Sequence, residues 1–535
     1  MKKVLKGEKS IYYICAGVFL LLFIPVLLAV IIGGNNIEYA PVNKIETFFS
    51  NPVYLLFGIP VFILFCLLVR WGDKIRISEK KKGFFIIIGL LSVYTLWYIV
   101  NLKICRMIVF GTGWDASVVT GTVYSLWEGQ KLGQDVYYSV YPNNIPIVWL
   151  LYRIYEKAIT MPDYPYFPEF LWVQVLCVME SVTGVVLGIA SYIATKKAVP
   201  VIISGFLFLA ICGISPWTII PYTDSFTILF PILVICLYII YTRTESNLKY
   251  ILIPFIEILG IAGGILKVTN YIVLFAIVLV EIARCFFDIK KKWKALIVIV
   301  MLCVGMFFSQ KMMNDKFIKD TGLEVNDAVS VGWPHYFYMG VMEDSTGSYN
   351  SQAVSILGNY ETKRERQKDE LRLAGEIIKG RSFSQNAYFA LRKMVMTYND
   401  GSFSWNAEGA MRKTEYKSIS ESRFKPAMRD FFWSGGKKLK AFLTYSQWIW
   451  IFMLVGVPGA FFAGNELIRR KKDNALWLGA AFLSLLGLFI FLLLFETRAR
   501  YLISYLPLYI LVSTLGYQKM AERVVDALKK RTRRR

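Results

Sequence analysis

The chain has 535 residues, of which 56% are hydrophobic and 19% are charged, and its mean hydropathy is +0.48. Apolar runs of about 20 residues recur along it, which excludes a soluble globular domain because such a run spans the hydrocarbon core of a bilayer. Much of the net charge of +23 lies in short basic clusters beside those runs. This is the positive-inside pattern, so we expect contact with membrane lipids and no nucleic-acid partner.

The apolar runs predict an all-α polytopic membrane protein. Candidate spans lie at residues 11–33, 52–70, 84–103, 143–159, 168–194, 199–220, 226–242, 250–267, 271–287, 294–310, 446–468, 474–495 and 500–517. The basic clusters place both termini in the cytoplasm, which requires an even number of crossings, and we expect about 12 transmembrane helices with about 14 as the alternative. Segment 143–159 is the weakest candidate because it contains Arg153, Glu156 and Lys157.

Three regions follow from this pattern. Residues 1–310 form an N-terminal transmembrane region with a catalytic external loop at 104–142, and residues 446–535 form C-terminal transmembrane helices with a basic cytoplasmic tail. Between them, segment 311–445 is hydrophilic and too long for an inert connection, so it predicts an extracytoplasmic helical loop domain. The composition, rich in Lys, Ile and Tyr, is typical of a multi-pass protein of a bacterial cell membrane.

Polar residues crowd the first external loop, between very hydrophobic segments. Asp115 follows Gly113-Trp114, Asp135 lies further on, and Tyr141-Pro142-Asn143-Asn144 leads into the next apolar run. Charge beside hydrocarbon is expensive, so such a loop is a candidate site. Asp115 suits a helix cap, a catalytic acid or base, or both. Asp135 has a supporting role, and Tyr141, Asn143 and Asn144 are candidate substrate-binding residues.

A second acidic residue, Asp224, lies where one hydrophobic span ends and the next begins. The topology predicts Asp115 and Asp224 on the same membrane face. One carboxylate can deprotonate an acceptor hydroxyl, and the other can hold a divalent metal or position the acceptor. The sequence does not divide these roles, and a helix cap is the alternative for Asp224 too.

Three basic residues on the same predicted face are candidates for binding a lipid phosphate. Lys267 ends an apolar run, where it either binds phosphate or snorkels to the interface. Arg498 and Arg500 lie in Glu-Thr-Arg-Ala-Arg-Tyr before the last span, with Tyr501 as a further substrate-binding candidate. Two external arginines oppose the positive-inside trend, and guanidinium groups bind phosphate bidentately, so this role is favoured over a structural ion pair.

His335 is the only histidine and lies in an aromatic-rich external stretch, where it either contacts a sugar or phosphate or is structural. The eight cysteines all fall in or beside apolar segments, so neither a disulfide framework nor a zinc site is expected. The chain has no Walker loop, GxSxG, HExxH or CxxC motif. The sequence therefore does not indicate ATP-driven transport, serine hydrolysis or zinc chemistry.

Together these motifs resemble a membrane-embedded glycosyltransferase of the GT-C class, similar to the protein mannosyltransferase and aminoarabinose transferase group. The resemblance rests on Asp115, the Tyr141–Asn144 motif, Asp224 after Pro-Tyr-Thr, and the Arg498–Tyr501 turn. It covers most of residues 84–310 and 474–517. It implies transfer of a sugar from a polyprenyl-phosphate donor to a cell-envelope glycan, lipid or protein acceptor at the outer membrane face, with inversion.

The resemblance also implies roles for individual residues. Asp115 would be the general base, and Arg498, Arg500 and Lys267 would bind the donor phosphate. The chain has a lone Asp115 where several branches of the class have an adjacent acidic pair, so we expect no metal, and Mg²⁺ or Mn²⁺ stays the open alternative. The competing hypotheses are a lipid or polysaccharide transporter, a scaffold that binds a partner through segment 311–445, and an acyltransferase with His335 as its catalytic residue.

Overall fold

The computed structural model describes most of the chain. The described residues are 2–34, 45–72, 78–130, 135–287, 300, 303–305, 312–313, 315–323, 325–360, 362–409, 411–415, 422–469 and 475–534. Helices dominate this part of the chain, because a backbone in lipid must satisfy its own hydrogen bonds.

Nine helices among the described residues are long and apolar enough to cross a membrane. They are Lys9–Gly33, Asn51–Gly72, Lys81–Ile108, Phe170–Thr195, Thr223–Arg243, Asn247–Leu266, Val268–Phe286, Leu439–Gly464 and Leu476–Leu494. Each overlaps a span predicted from the sequence. The total of about 12 crossings stays a prediction, since most of the predicted span 294–310 lies outside the described residues.

Three predicted spans have a different form in the structure. Segment 143–159 is an amphipathic helix, Ile145–Thr160, whose Arg153 and Glu156 form an ion pair at 3.1 Å. Segment 199–220 is a short helix, Val199–Phe208, that continues as a π-helical turn, Leu209–Gly213. Segment 500–517 begins as a 3₁₀ turn, Ala499–Tyr505, before the long helix Leu506–Arg534, which passes through the core.

The other elements are short and lie mostly in the connections. The α-helices are Trp114–Trp127, Asp135–Val140, Trp333–Val341, Ser351–Ser355, Lys363–Gly380, Phe383–Tyr398 and Lys425–Phe432. The 3₁₀ turns are Pro142–Asn144, Pro216–Ile219, Asp327–Val329 and Ile356–Asn359, and Trp405–Gly409 is a π-helical turn. Two strands, Gly111–Thr112 and Arg412–Thr414, pair antiparallel.

Small residues allow the membrane helices to approach closely, as is common where lipid gives no hydrophobic drive for association. On helix Phe170–Thr195, a Cβ at Gly184 would overlap the Tyr94 ring, and one at Gly188 would overlap the Leu90 side chain. Substitution of either glycine would therefore force these side chains to move and disturb the contact with helix Glu79–Ile108, which carries the first loop at its end.

The large loop, residues 325–432, packs directly on the membrane helices. Tyr398 is buried, and its hydroxyl lies 2.5 Å from that of Tyr509 on helix Leu506–Arg534. Asn399 accepts a hydrogen bond from Asn51 at 2.6 Å, and Gln447 donates to both asparagines at 3.0 Å. Helix Leu439–Gly456 begins before the predicted boundary at 446. The large loop and the helix ends therefore share one polar and aromatic interface.

Candidate functional site

Five separate segments of the chain meet where several membrane helices end. The first loop brings Asp115, the start of helix Thr223–Arg243 brings Asp224, and the turn between two spans brings Lys267. The arginine turn, residues 495–501, follows helix Leu476–Leu494, and the large loop adds Glu408. All five segments are linked through the contacts of Arg500 and its neighbours.

The backbone around Asp115 is fixed by the strand pair. Gly113 donates a backbone hydrogen bond to Met411 at 2.8 Å, and Trp114 follows with φ = +49°, a left-handed conformation that is uncommon for a bulky residue. Such conformations concentrate at functional sites, where the surroundings hold them. The turn places the Trp114 ring 4.2 Å from the Arg500 guanidinium and 4.8 Å from the Tyr222 ring. Asp115 then lies in the first turn of helix Trp114–Trp127.

Asp115 is half-buried and lies beside a hydrogen-bonded chain of side chains. Tyr137, the first member of that chain, is close to the Asp115 carboxylate, and burial together with that negative charge raises the pKa of Tyr137. Asn144 donates to the Tyr137 oxygen at 2.8 Å and accepts from the Tyr222 hydroxyl at 3.1 Å. The chain from Tyr137 to Tyr222 therefore ends against the ring of Trp114 and beside Arg500.

A buried charge cluster lies on the other side of Arg500. Its members are three carboxylates and three basic groups: Asp224, Glu408, Glu496, Lys267, Arg498 and Arg500. Lys267 pairs with Asp224, and Arg498 pairs with Glu408. Arg500 Nε lies 2.9 Å from Glu408, and its Nη1 lies 3.9 Å from Asp224. At full ionisation the six charges cancel.

Burial shifts the pKa values of two groups in the cluster. It lowers the pKa of the Lys267 ammonium, while the neighbouring Asp224 acts in the opposite direction. It raises the pKa of the Glu496 carboxyl, against the effect of Arg498 and Arg500. Buried ions keep their charge only where partners replace the lost hydration, so each charge depends on the others.

Of the remaining predicted residues, some lie at or near the charge cluster and others lie elsewhere. Tyr501 lies in the cluster, with its hydroxyl 3.3 Å from Glu496 and its ring 4.9 Å from the Lys267 ammonium. Tyr141 is half-buried with its ring 5.2 Å from that of Tyr137, and Asn143 is exposed at the rim. His335 is fully buried elsewhere, in the large loop, where its Nδ1 lies 2.8 Å from Glu370. The side chain of Asp135 lies outside the described residues.

Several residues of the site have no role in the sequence-based prediction. Glu408 contacts both arginines, and Trp114, Tyr137 and Tyr222 connect them to Asp115. Glu408 follows a turn in which Phe403 and Ser404 have φ of +56° and +63°. Nothing in the local sequence predicts this left-handed backbone. The signal that could have found the tyrosine chain is the density of aromatic residues in the first loop, Trp114, Tyr137 and Tyr141 among them.

The residues present do not suit a divalent metal. No group of three or more His, Cys, Asp or Glu side chains is placed to hold a metal ion in the part of the chain that the structure describes. Asp224 is paired with Lys267 and adjoins Arg500, which would repel a cation at its oxygens.

Breaking the buried Asp224–Lys267 pair on one side only is expected to destabilise the protein. Asp224→Asn or Lys267→Met leaves the other charge without its nearest partner, at a cost of about 3–5 kcal/mol, whereas the double variant should lose less than the sum of the single changes. Unfolding of the purified protein in detergent measures these losses. As a control, Arg372→Gln removes exposed ion pairs on helix Lys363–Gly380, which solvent screens, and should leave the stability nearly unchanged. If the double variant lost the full sum of the two single-variant losses in stability, an interaction between Asp224 and Lys267 would be contradicted.

Comparison with known proteins now defines the class of this chain. The model of a family described as conserved hypothetical integral membrane protein matches residues 8–521, and the chain belongs to that family. This confirms the prediction of an integral membrane protein, and the structure confirms that the described part of the chain is mostly helical, with several helices long and apolar enough to span a membrane. No curated protein and no solved structure matches the chain.

Proposed function

We propose that this protein transfers a sugar from a polyprenyl-phosphate donor to an acceptor at the outer face of a bacterial cell membrane, with both termini in the cytoplasm. The observation that carries the proposal is that Asp224, Lys267 and Arg500 meet in the charge cluster, while Asp115 lies beside the chain of side chains that ends next to Arg500. These residues come from four distant segments, yet each lies near the end of a membrane helix. A base and a phosphate-binding group beside the lipid boundary suit a substrate that has a lipid tail and a charged head.

The donor phosphate is assigned to the arginine turn. Arg500 Nη1 is buried and makes no hydrogen bond within the described part of the chain, so one N–H donor of this guanidinium is available to an anion. Arg498 and Lys267 add positive charge nearby, although carboxylates already balance it. A phosphate oxygen would therefore compete with Glu408 and Asp224 for these cations. Guanidinium groups suit this exchange because they present several donors in one plane.

Asp115 is assigned as the general base. Its carboxylate is half-buried, so an acceptor hydroxyl can approach it, and Tyr137 lies beside it. The acceptor oxygen attacks the anomeric carbon and gives its proton to Asp115, while the bond from that carbon to the phosphate oxygen breaks. Polyprenyl phosphate leaves with the electron pair, stabilised by Arg500. A single displacement inverts the anomeric configuration, and positioning with charge stabilisation provides most of the acceleration.

A lipid or polysaccharide transporter is the second candidate, and one observation favours it. Two carboxylates are buried within predicted spans: Glu180 accepts hydrogen bonds from Trp97, Asn101 and Thr218, and Glu281 lies beside Arg284 and Tyr238. Buried ionisable groups often line transport paths. Both carboxylates, however, have several polar neighbours that satisfy them in place, as structural groups do. The cluster at the helix ends favours transfer over transport.

The proposal is tested with the full-length protein in proteoliposomes that contain a polyprenyl-phosphate-linked sugar. Envelope glycans of a deletion strain, compared with those of the wild type, first identify the missing sugar and its acceptor. Transfer predicts stoichiometric release of polyprenyl phosphate and a new glycosidic bond of inverted configuration, observed by mass spectrometry and NMR. A transporter would move the intact lipid-linked sugar across the bilayer and form no new bond, and that result would contradict the proposal.

A further inference from the structure

The arginine turn is attached to the large loop by a buried lysine. Lys393, on helix Phe383–Tyr398, is fully buried and far along the chain from the turn. Its ammonium donates three hydrogen bonds to backbone carbonyls: to Gly340 at 2.7 Å, to Leu493 at 2.9 Å and to Phe495 at 2.7 Å. Here these four residues are called the lysine clamp. It joins two helices of the large loop to the end of helix Leu476–Leu494.

Further contacts hold the same stretch of backbone. The Glu496 N–H donates to the Tyr336 carbonyl and the Thr497 N–H donates to that of Gly347, both at 2.9 Å. The hydroxyls of Thr397 and Thr497 lie 2.8 Å apart and are both buried. A Cβ at Gly340 would lie 2.6 Å from the Leu494 carbonyl, so the two backbones are as close as glycine allows. The chain enters Arg498 directly from this fixed stretch.

The chemistry of the clamp explains why a lysine lies there. The last carbonyls of a helix have no partner within the helix, and in a buried place they need donors from elsewhere. An ammonium has three N–H groups, and the three carbonyls use all of them. Its positive charge also suits the negative end of the helix dipole. A methionine has similar length and apolar character, but it would leave three buried carbonyls without this donor.

We infer that Lys393 is a positioning residue, through which the large loop sets the position of Arg498 and Arg500 for the donor phosphate. The inference rests on the proposed function for the identity of the ligand. Loss of the clamp should free residues 493–497 from the large loop, so that the two guanidinium groups lose their fixed relation to Asp115 and Asp224. Lys393 itself does not touch the substrate. Together with Glu408, it gives the large loop a second link to the arginine turn.

The first experiment measures binding of polyprenyl phosphate by the full-length protein in lipid nanodiscs, with native mass spectrometry. Lys393→Met should weaken binding on the order of 10- to 100-fold, because small displacements of a binding group have effects of this size. Lys379→Met makes the same change at an exposed lysine on the neighbouring helix Lys363–Gly380 and should leave binding unchanged. Equal binding by a folded Lys393→Met variant and by the Lys379→Met control would overturn the inference.

A second experiment needs no ligand. Cysteines replacing Thr397 and Thr497 should form a disulfide rapidly on mild oxidation, since the two hydroxyl oxygens are 2.8 Å apart. Adding Lys393→Met should slow this reaction relative to Lys379→Met, and an unchanged rate would overturn the inference. If Lys393→Met does not accumulate in cells, Thr397→Val replaces it. This variant removes one hydrogen bond at the same place and should weaken polyprenyl phosphate binding.

The proposed function and the role of Lys393 can fail separately. If the wild type does not bind polyprenyl phosphate but cross-linking still depends on Lys393, only the proposed function is rejected.

Discussion

Asp115→Asn is expected to lower the rate of sugar transfer by about 10²- to 10⁴-fold, the usual contribution of a general base. The amide cannot accept the proton of the acceptor hydroxyl, yet it keeps the size of the carboxylate beside Tyr137. The fold and the affinity for the donor should therefore change little. Single-turnover transfer in proteoliposomes measures the rate of the chemical step. Binding of polyprenyl phosphate measures whether the affinity for the donor is unchanged.

The matched control for this experiment is Asp163→Asn, the same substitution at an exposed aspartate between two helices. It should transfer sugar at the wild-type rate. Restoration of the Asp115→Asn rate by a small carboxylate, such as formate, would support the role in proton transfer directly. Full activity of Asp115→Asn at normal expression would remove Asp115 from the mechanism and leave the charge cluster as a binding or structural feature.

Arg500→Gln is expected to have the second large effect, on both stability and donor binding. The side chain is about 8% exposed and lies beside two carboxylates, Glu408 and Asp224. Its removal leaves these buried acids short of positive charge, at a cost of about 3–5 kcal/mol in the free energy of unfolding. It also removes the available N–H donor and the cation that lies over the Trp114 ring. Thermal unfolding in detergent and binding of polyprenyl phosphate measure the two effects.

Two further variants separate charge from geometry at this position. Arg500→Lys keeps the charge but loses the planar fork, so it should recover much of the stability and little of the phosphate binding. Arg364→Gln, at an exposed arginine on helix Lys363–Gly380, is the control and should change neither. Wild-type donor binding by Arg500→Gln would show that the phosphate is held elsewhere.

The sequence alone indicated Asp115 and much of the charge cluster. Asp115, Asp224, Lys267, Arg498 and Arg500 each lie at the edge of an apolar run, where a charge is costly and therefore conspicuous. Glu408 could not be found in this way, because it lies in a hydrophilic segment in which charged residues are common. His335 was conspicuous only because it is the sole histidine, and the structure places it in a buried pair with Glu370.

The helical membrane character was determined by the sequence, because a bilayer requires long apolar segments and the hydrogen bonds of a helix are local. Charges beside hydrocarbon marked the candidate residues for the same local reason. The tertiary structure decided the rest: that Glu408 balances the arginines, that Tyr137 and Asn144 connect Asp115 to them, and that Lys393 holds the turn before Arg498. These contacts join residues far apart in the chain, so no local pattern encodes them. They depend on how the helix ends and the large loop pack together.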